Sequence, residues 1–303
     1  MITIIITSFN EPKSTLRAVK SFLRQKIKEE FKIIVVDPFP EVEEFLMKEI
    51  KDERVEFFLD PGEGKSYALN ILFEEKWSDN KNDLFVLTDG DVYVSENSLE
   101  EIKKRFKDKK VGCVTGKPVS VDEANKKYGF WARVLFSGID KVRKKLSKEK
   151  KFFECSGYLF AIRNGFLRSF PLETSEDSII PYLFWKEGYK IEYADKAEVY
   201  VKNPSNWKDW KNQKIRNIKA HENLNKIVPN MPRTKSFFNE IKEGAFFAIR
   251  QANNFKEFIW ILELYLVRLY IYFVAFWELS GMKNKNYRDG WRETEIKSTK
   301  PMD

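Results

Sequence analysis

Leu84-Phe85-Val86-Leu87-Thr88-Asp89-Gly90-Asp91 is the stretch on which the reading of this chain turns. Leu84–Leu87 is a short, unbroken apolar run, the pattern of a strand buried on both faces. Asp89 and Asp91 follow directly, one residue apart. At a strand end, two such carboxylates can point into one cleft and share a divalent cation, which can neutralise a diphosphate leaving group. A plain Asp-Gly turn accounts for the same residues without a metal.

The pattern of strand and amphipathic segment repeats on both sides of this stretch. Ile2–Thr7, Phe31–Val36, Val55–Leu59 and Val111–Thr115 read as further strands. Leu16, Val19 and Leu23 recur at helical spacing, Glu41–Ile50 reads as a helix, and another runs through Ala68, Leu69 and Leu72. Ser98-Leu99-Glu100-Glu101 has the form of a capping box. Repeated βα units predict a mainly parallel, Rossmann-like α/β sheet sandwiched by helices, with ligands beyond the carboxyl ends of its strands.

Polar residues at those ends are the candidates for chemistry. Glu11 closes the run after the first strand and Asp37 follows the second. Either can accept hydrogen bonds from a base or a ribose, and either can simply cap a helix or solvate a loop. Gly62-Glu63-Gly64-Lys65-Ser66 has phosphate-loop character without the full spacing of one; its glycines permit close backbone approach and Lys65 supplies charge. Gly157, in Cys155-Ser156-Gly157-Tyr158, also permits close contact with a ligand. Glu176-Asp177 opens a predicted helix, as a cap or as a general base for an acceptor hydroxyl.

Composition narrows the chemistry. The chain has 303 residues, 43% of them hydrophobic, enough for a large α/β domain and an appended piece. Cys113, Cys155 and His221 are its only cysteines and histidine, which excludes a Cys/His zinc site and a disulfide framework. Any catalytic metal falls to carboxylates, which points to Mg²⁺ or Mn²⁺. Met1 runs straight into Ile2–Ile6, with no basic leader or small-residue cleavage site, so a cytoplasmic location is expected.

In their order and spacing, Thr7-Ser8-Phe9-Asn10-Glu11, Asp37, Gly64-Lys65-Ser66-Tyr67-Ala68-Leu69-Asn70, Asp89-Gly90-Asp91, Ser156-Gly157 and Glu176-Asp177 resemble the motifs of family 2 glycosyltransferases. The resemblance runs over residues 1–220 and implies a GT-A fold and an inverting mechanism. It implies that Glu11 and Asp37 hold the nucleoside and that Lys65 lies near the nucleotide. Asp89 and Asp91 would bind the diphosphate and metal, with Asp91 the more direct ligand, and Asp177 would be the general base beside Glu176. Gln213-Lys214-Ile215-Arg216-Asn217 resembles the Gln-x-x-Arg-Trp motif of membrane-associated synthases in that family, with Asn217 in place of Trp. Gln213 and Arg216 would then lie near the acceptor and diphosphate; a polar helix face is the alternative. The implied donor is a nucleotide-diphosphate sugar, a UDP-sugar first and GDP-mannose second.

The character changes near Asn203-Pro204, which divides the chain into a catalytic part, 1–203, and an aromatic, basic, helical part, 204–303. Phe258–Trp277 is apolar over 20 residues apart from Glu263 and Arg268. Trp207 and Trp210 share a helix face flanked by Lys208 and Lys211, and Phe237, Phe238, Phe246 and Phe247 add apolar surface. Monotopic attachment to the cytoplasmic face of a membrane is the favoured reading, ahead of a span or a soluble helical face. The tail Trp291-Arg292-Glu293-Thr294 resembles the Trp-x-x-Thr ending of some synthases. A lipid-linked or glycan acceptor is expected. The net charge of +8 suits anionic lipid, and tryptophans and lysines interleaved with long apolar runs argue against nucleic acid. Nucleotidyl transfer is the rival enzyme class, but Ser8-Phe9-Asn10-Glu11-Pro12 is not its basic glycine-rich loop. A non-catalytic sugar-nucleotide or membrane-binding module is the remaining alternative.

Overall fold

The computed structural model describes residues 1–172, 174–232, 244, 246–280 and 299. Eight strands form one sheet: β1 (Ile2–Thr7), β2 (Phe31–Asp37), β3 (Val55–Leu59), β4 (Leu84–Asp89), β5 (Tyr93–Val94), β6 (Val111–Ser120), β7 (Leu159–Arg163) and β8 (Lys190–Val201). Their order is β3-β2-β1-β4-β7-β6-β8-β5. The first four are all parallel, as the βα repeats predict, and β6 is parallel to β8. β7 runs antiparallel to both β4 and β6, and β5 antiparallel to β8, so the sheet is mixed.

The helices are α1 (Pro12–Leu23), α2 (Pro40–Glu49), α3 (Lys65–Glu75), α4 (Ser98–Arg105), α5 (Lys127–Lys148), α6 (Glu176–Lys186), α7 (Trp207–Ile227) and α8 (Phe255–Leu279). Proline opens α1 and α2, where its missing N–H costs no helical bond. The capping box expected at Ser98 does not form. Asn97 stands at the N-cap of α4, and the Ser98 hydroxyl donates instead to the Glu198 carbonyl at 3.1 Å. The basic stretch from Lys141 is the end of α5 and the turn after it.

Alternation along the strands builds two cores. Ile4, Ile6, Ile33, Val35, Leu84 and Val86 face α1, α2 and α4 through Val19, Phe22, Leu46 and Leu99. Ile5, Ile34, Val36, Phe85 and Leu87 face α3 and α6 through Leu69, Phe73, Ile180 and Phe184. In β1 and β4, neighbouring residues thus serve opposite layers, as a strand's period of two requires.

A third core joins α5, α7 and α8 around Phe130, Trp131, Trp210, Ile261, Leu264 and Ile271. Trp210 is fully buried, 5.4 Å from Trp131 and 5.8 Å from Tyr128 between ring centres, so it cannot enter lipid head groups beside Trp207. The Trp131 indole donates to the Trp260 carbonyl at 2.7 Å. Glu263 pairs with Lys127 at 3.3 Å, and Arg268 stacks on Tyr272 at 5.1 Å. The opposite face of α8 is apolar and open, with Leu266 69% and Phe273 63% exposed beside Leu262, Leu269 and Phe276. Among the described residues, α8 is the one helix long and apolar enough to cross a membrane. Phe237, Phe238 and the tail 291–297 lie outside the described residues.

Truncating a fully buried Trp costs about 3–5 kcal/mol. Trp210→Ala should lower unfolding stability by that amount in urea titration, whereas Trp207→Ala, at an exposed position, should cost under about 1 kcal/mol. Equal losses would contradict the packing of α7 on α5 and α8.

Candidate active site

In β1, β2 and β4, Thr7 pairs with Val36 on one side and with Asp89 on the other. The loops that follow these strands therefore open onto one edge. There they form an open cleft lined by Thr7, Ser8, Phe9, Glu11, Asp60, Lys65, Asp89 and Asp91.

The loop after β1 is held from behind by Asp37. Its Oδ2 accepts from the Ser8 hydroxyl at 2.5 Å and the Asn10 N–H at 2.9 Å, and its Oδ1 accepts from the Phe39 N–H at 3.0 Å. Phe9 meets Phe39 edge to face at 5.1 Å. Asn10 takes the left-handed conformation, φ 55°, that asparagine tolerates better than most residues. Burial raises the Asp37 pKa against these hydrogen bonds. Asp37 is thus placed to shape the loop and does not line the cleft.

Gly90 lets the end of β4 pass under that loop. A Cβ there would lie 2.6 Å from the Ser8 Cβ and 2.8 Å from the Thr15 hydroxyl. The Gly90 N–H donates to the Thr7 carbonyl at 2.8 Å, and Arg17 donates to the Asp91 carbonyl at 3.1 Å. Asp91 turns a carboxylate oxygen inward, and this Oδ1 is buried with no hydrogen-bond partner among the described residues. Burial first, then Asp89 and Glu11, push the Asp91 pKa well above the ordinary carboxylate range.

Lys65 begins α3 directly after Gly64, whose φ of 117° is open only to glycine. Its ammonium lies 2.7 Å from Asp89 Oδ1 and 2.6 Å from Glu176 Oε1. Burial disfavours the charged lysine, but the two carboxylates outweigh it and raise its pKa above the ordinary value. Glu176 is pushed up to about 7, by burial first and then by Asp177 and Asp89, against the pull of Lys65. Further along α3, the Asn70 amide donates to the Phe170 carbonyl at 2.9 Å and accepts from its N–H at 3.0 Å. The motif residues of α3 therefore fix the segment that leads into Glu176-Asp177.

Asp177 is oriented from several sides. Its Oδ2 accepts from the Gly157 N–H at 3.1 Å, its Oδ1 from the Ser175 hydroxyl at 2.5 Å, and its carbonyl from the Cys155 N–H at 2.9 Å. Ser178 donates to Glu154 at 2.7 Å, and Glu154 lies 3.3 Å from His221 Nδ1 on α7. Burial first, then the charges of Asp91 and Asp89, raise the Tyr158 pKa, and nearby Arg216 opposes that rise. Gln213 is buried and accepts from Lys214 at 3.2 Å.

The structure thus brings Glu11, Lys65, Asp89 and Asp91 into one cleft and links it through Lys65 to Glu176, whose neighbour Asp177 accepts from the Gly157 N–H. Arg216 approaches from α7, while Asp37 and Gln213 sit outside the cleft lining. Ser8, Ser175, Ser178, Glu154, Tyr158 and His221 were not among the expected site residues. Ser175 and Ser178 flank the acid pair and were open to discovery on that ground; Glu154 and His221 meet only through tertiary packing and carry no local signal.

Residues 1–220 match the family model described as Glycosyltransferase like family 2. The chain belongs to that family. The family 2 chain is also similar to a solved mannosyltransferase, PcManGT of Pyrobaculum calidifontis, in complex with GDP-Man and Mn²⁺. The likeness has a TM-score of 0.57 at 18% identity and covers 92% of this chain and 72% of that one. The fold is therefore the GT-A fold expected from the motifs. A search of curated proteins finds no match.

Hydrogen bonds to a charged group contribute about 1.5–3 kcal/mol each, less the cost of burying that charge. Asp37→Ala should therefore lower stability by about 2–3 kcal/mol in urea unfolding, and Asp37→Asn, which keeps an acceptor oxygen, by less. A neutral Asp37→Ala would show that the carboxylate does not hold the first loop.

Proposed function

We propose that this family 2 protein moves a sugar from a nucleotide-diphosphate sugar to an acceptor by one inverting displacement. The observation that carries the reading is the convergence of Asp89, Asp91 and Lys65 at the mouth of β4, with Glu176-Asp177 joined to them through Lys65. Such a cleft suits an anionic donor only when cations balance its carboxylates. Family membership favours sugar transfer over nucleotidyl transfer, and residues 1–203 form its catalytic part.

In this reading Glu11 faces the nucleoside across the cleft, and Asp37 keeps the first loop in shape for it. GDP-mannose gains support over a UDP-sugar from the donor held by the solved neighbour. Asp177, fixed by Gly157 and Ser175, takes the proton from an acceptor hydroxyl as its oxygen bonds to the anomeric carbon. The bond from that carbon to the diphosphate oxygen breaks in the same step, and the nucleoside diphosphate leaves. Glu176 keeps the Lys65 ammonium within reach of the diphosphate, and Gln213 and Arg216 on α7 lie toward the acceptor and diphosphate.

The residues present fit a divalent cation. Asp89 and Asp91 are hard oxygen donors, and Asp91 has the buried, unpartnered Oδ1. No group of three metal-binding side chains occurs among the described residues, so diphosphate oxygens would complete the shell. Bound Mn²⁺ or Mg²⁺ would neutralise the charge that gathers on the leaving diphosphate.

A panel of nucleotide sugars tests the reading by thermal shift with Mn²⁺ or EDTA, because a cognate donor binds only the folded state. One donor should raise Tm with Mn²⁺ and not with EDTA. Asp91→Ala should abolish that shift. Asp177→Asn should keep it and lose about 10²–10⁴-fold in transfer rate. A donor shift in Asp91→Ala that persists in EDTA would exclude the metal assignment.

The acceptor is proposed to be lipid-linked and met at the cytoplasmic face of a membrane, through the open apolar face of α8 in the region 204–303. The full chain should float with liposomes of anionic lipid, and Leu266→Glu with Phe273→Glu should remain behind. Recovery of both proteins in the soluble fraction at low and high salt would rule out membrane attachment by α8.

A further inference from the structure

Lys65 and its partners form a bridge across the cleft. The ammonium contacts Asp89 and Glu176 at once, at 2.7 and 2.6 Å, and the three side chains are only 18%, 11% and 11% exposed. Asp89 thus already carries a cation supplied by the chain. Asp91, two residues on, keeps a buried oxygen with no hydrogen-bond partner among the described residues. A divalent cation drawn to this pair would have to share Asp89 with the ammonium, and like charges on one carboxylate repel. A diphosphate alters that balance. It brings oxyanions that an ammonium on a flexible stem can follow, and it arrives near the start of α3, where the helix dipole also favours an anion.

We propose that Lys65 is the built-in counter-ion of the donor site, keeping divalent metal off Asp89 until a nucleoside diphosphate draws the ammonium away. The proposal rests on the metal assignment above and deepens it. It makes metal and nucleotide bind as a pair: each is weak alone, and each strengthens the other by the same factor. The acid-rich cleft is then never left without a cation, in either state.

The test is calorimetric titration of the full chain with MnCl₂ alone, with GDP or UDP alone in EDTA, and with MnCl₂ in the presence of either nucleotide. Lys65→Met removes the charge and keeps an unbranched chain. It should bind Mn²⁺ alone at least about tenfold tighter than the wild type and metal-free nucleotide at least about tenfold weaker, the order of effect of one nearby charge. Lys65→Arg should keep wild-type Mn²⁺ affinity. A general lesion of the cleft would weaken both ligands, so the opposite signs identify the counter-ion. If Lys65→Met fails to fold, Lys65→Gln removes the same charge and keeps a hydrogen-bond donor on the side chain. Mn²⁺ affinity no tighter than wild type in these variants overturns the proposal. If the wild type nevertheless binds Mn²⁺ and nucleotide cooperatively, the metal assignment stands without it. If neither wild type nor variant binds Mn²⁺ with either nucleotide, both fall together.

Discussion

The contact between the Lys65 ammonium and the carboxylates of Asp89 and Glu176 ties together three elements that are far apart in sequence. Lys65 opens α3, Asp89 closes β4 and Glu176 opens α6. Without a cation at this point, Asp89 and Asp91 in the cleft and Glu176 and Asp177 beside it would repel one another, at a cost that burial increases. Burial first, and then neighbouring carboxylates, raise the pKa values of Asp91 and Glu176. The position of the ammonium follows from packing beneath it: Leu69, Leu72 and Phe73 seat α3 on the sheet, and Gly64 turns the chain sharply into the helix.

The remainder of the site depends on register. Thr7 lies beside Asp89 because β1 and β4 are parallel neighbours, and the Gly90 N–H closes the junction onto the Thr7 carbonyl. The close approach of Ser8 to Gly90 leaves no space for a side chain, so the Asp-Gly-Asp spacing has a packing cause as well as a chemical one. A glycine between the two carboxylates is what allows the β1 loop to cover the end of β4 while both acids reach the cleft.

Much of this could be read before the structure. The strands of the first half carry long β-branched runs, and such runs have few alternatives to burial in a parallel sheet. Their carboxyl ends then mark the edge at which the cleft opens, and Glu11 and Asp89 both line it. Asp37 carries a contact that this reasoning does not reveal: its oxygens accept three hydrogen bonds that hold the loops after β1 and β2. Sequence position reports where a side chain starts and says nothing of which donors surround it. The antiparallel entry of β7 between β4 and β6 was equally hidden, because strand direction depends on how the chain returns after the 22-residue α5. The chain from Ser178 through Glu154 to His221 draws on α6, a loop and α7, and no periodicity links them.

The appended helices show how one composition can serve two surfaces. An apolar run with two charges reads equally as a core helix, an interfacial helix or a span, because an average over the run does not assign faces. Packing separates them. Glu263 turns to Lys127 and Arg268 to Tyr272, so the charges that weigh against lipid are spent on the protein side. Trp210, expected beside Trp207 on a head-group face, instead fills the core between α5, α7 and α8. What remains outward is a stripe of Leu262, Leu266, Leu269, Phe273 and Phe276, spaced three and four residues apart as one helical face requires. A helix that crosses a bilayer meets lipid around most of its circumference unless other spanning helices cover it. α8 instead commits its inner face to α5 and α7, which carry Lys127, Arg133, Lys208 and Lys211 and do not themselves have the apolar length of a span. One apolar face with a charged helical layer behind it fits the proposed surface attachment better than a crossing.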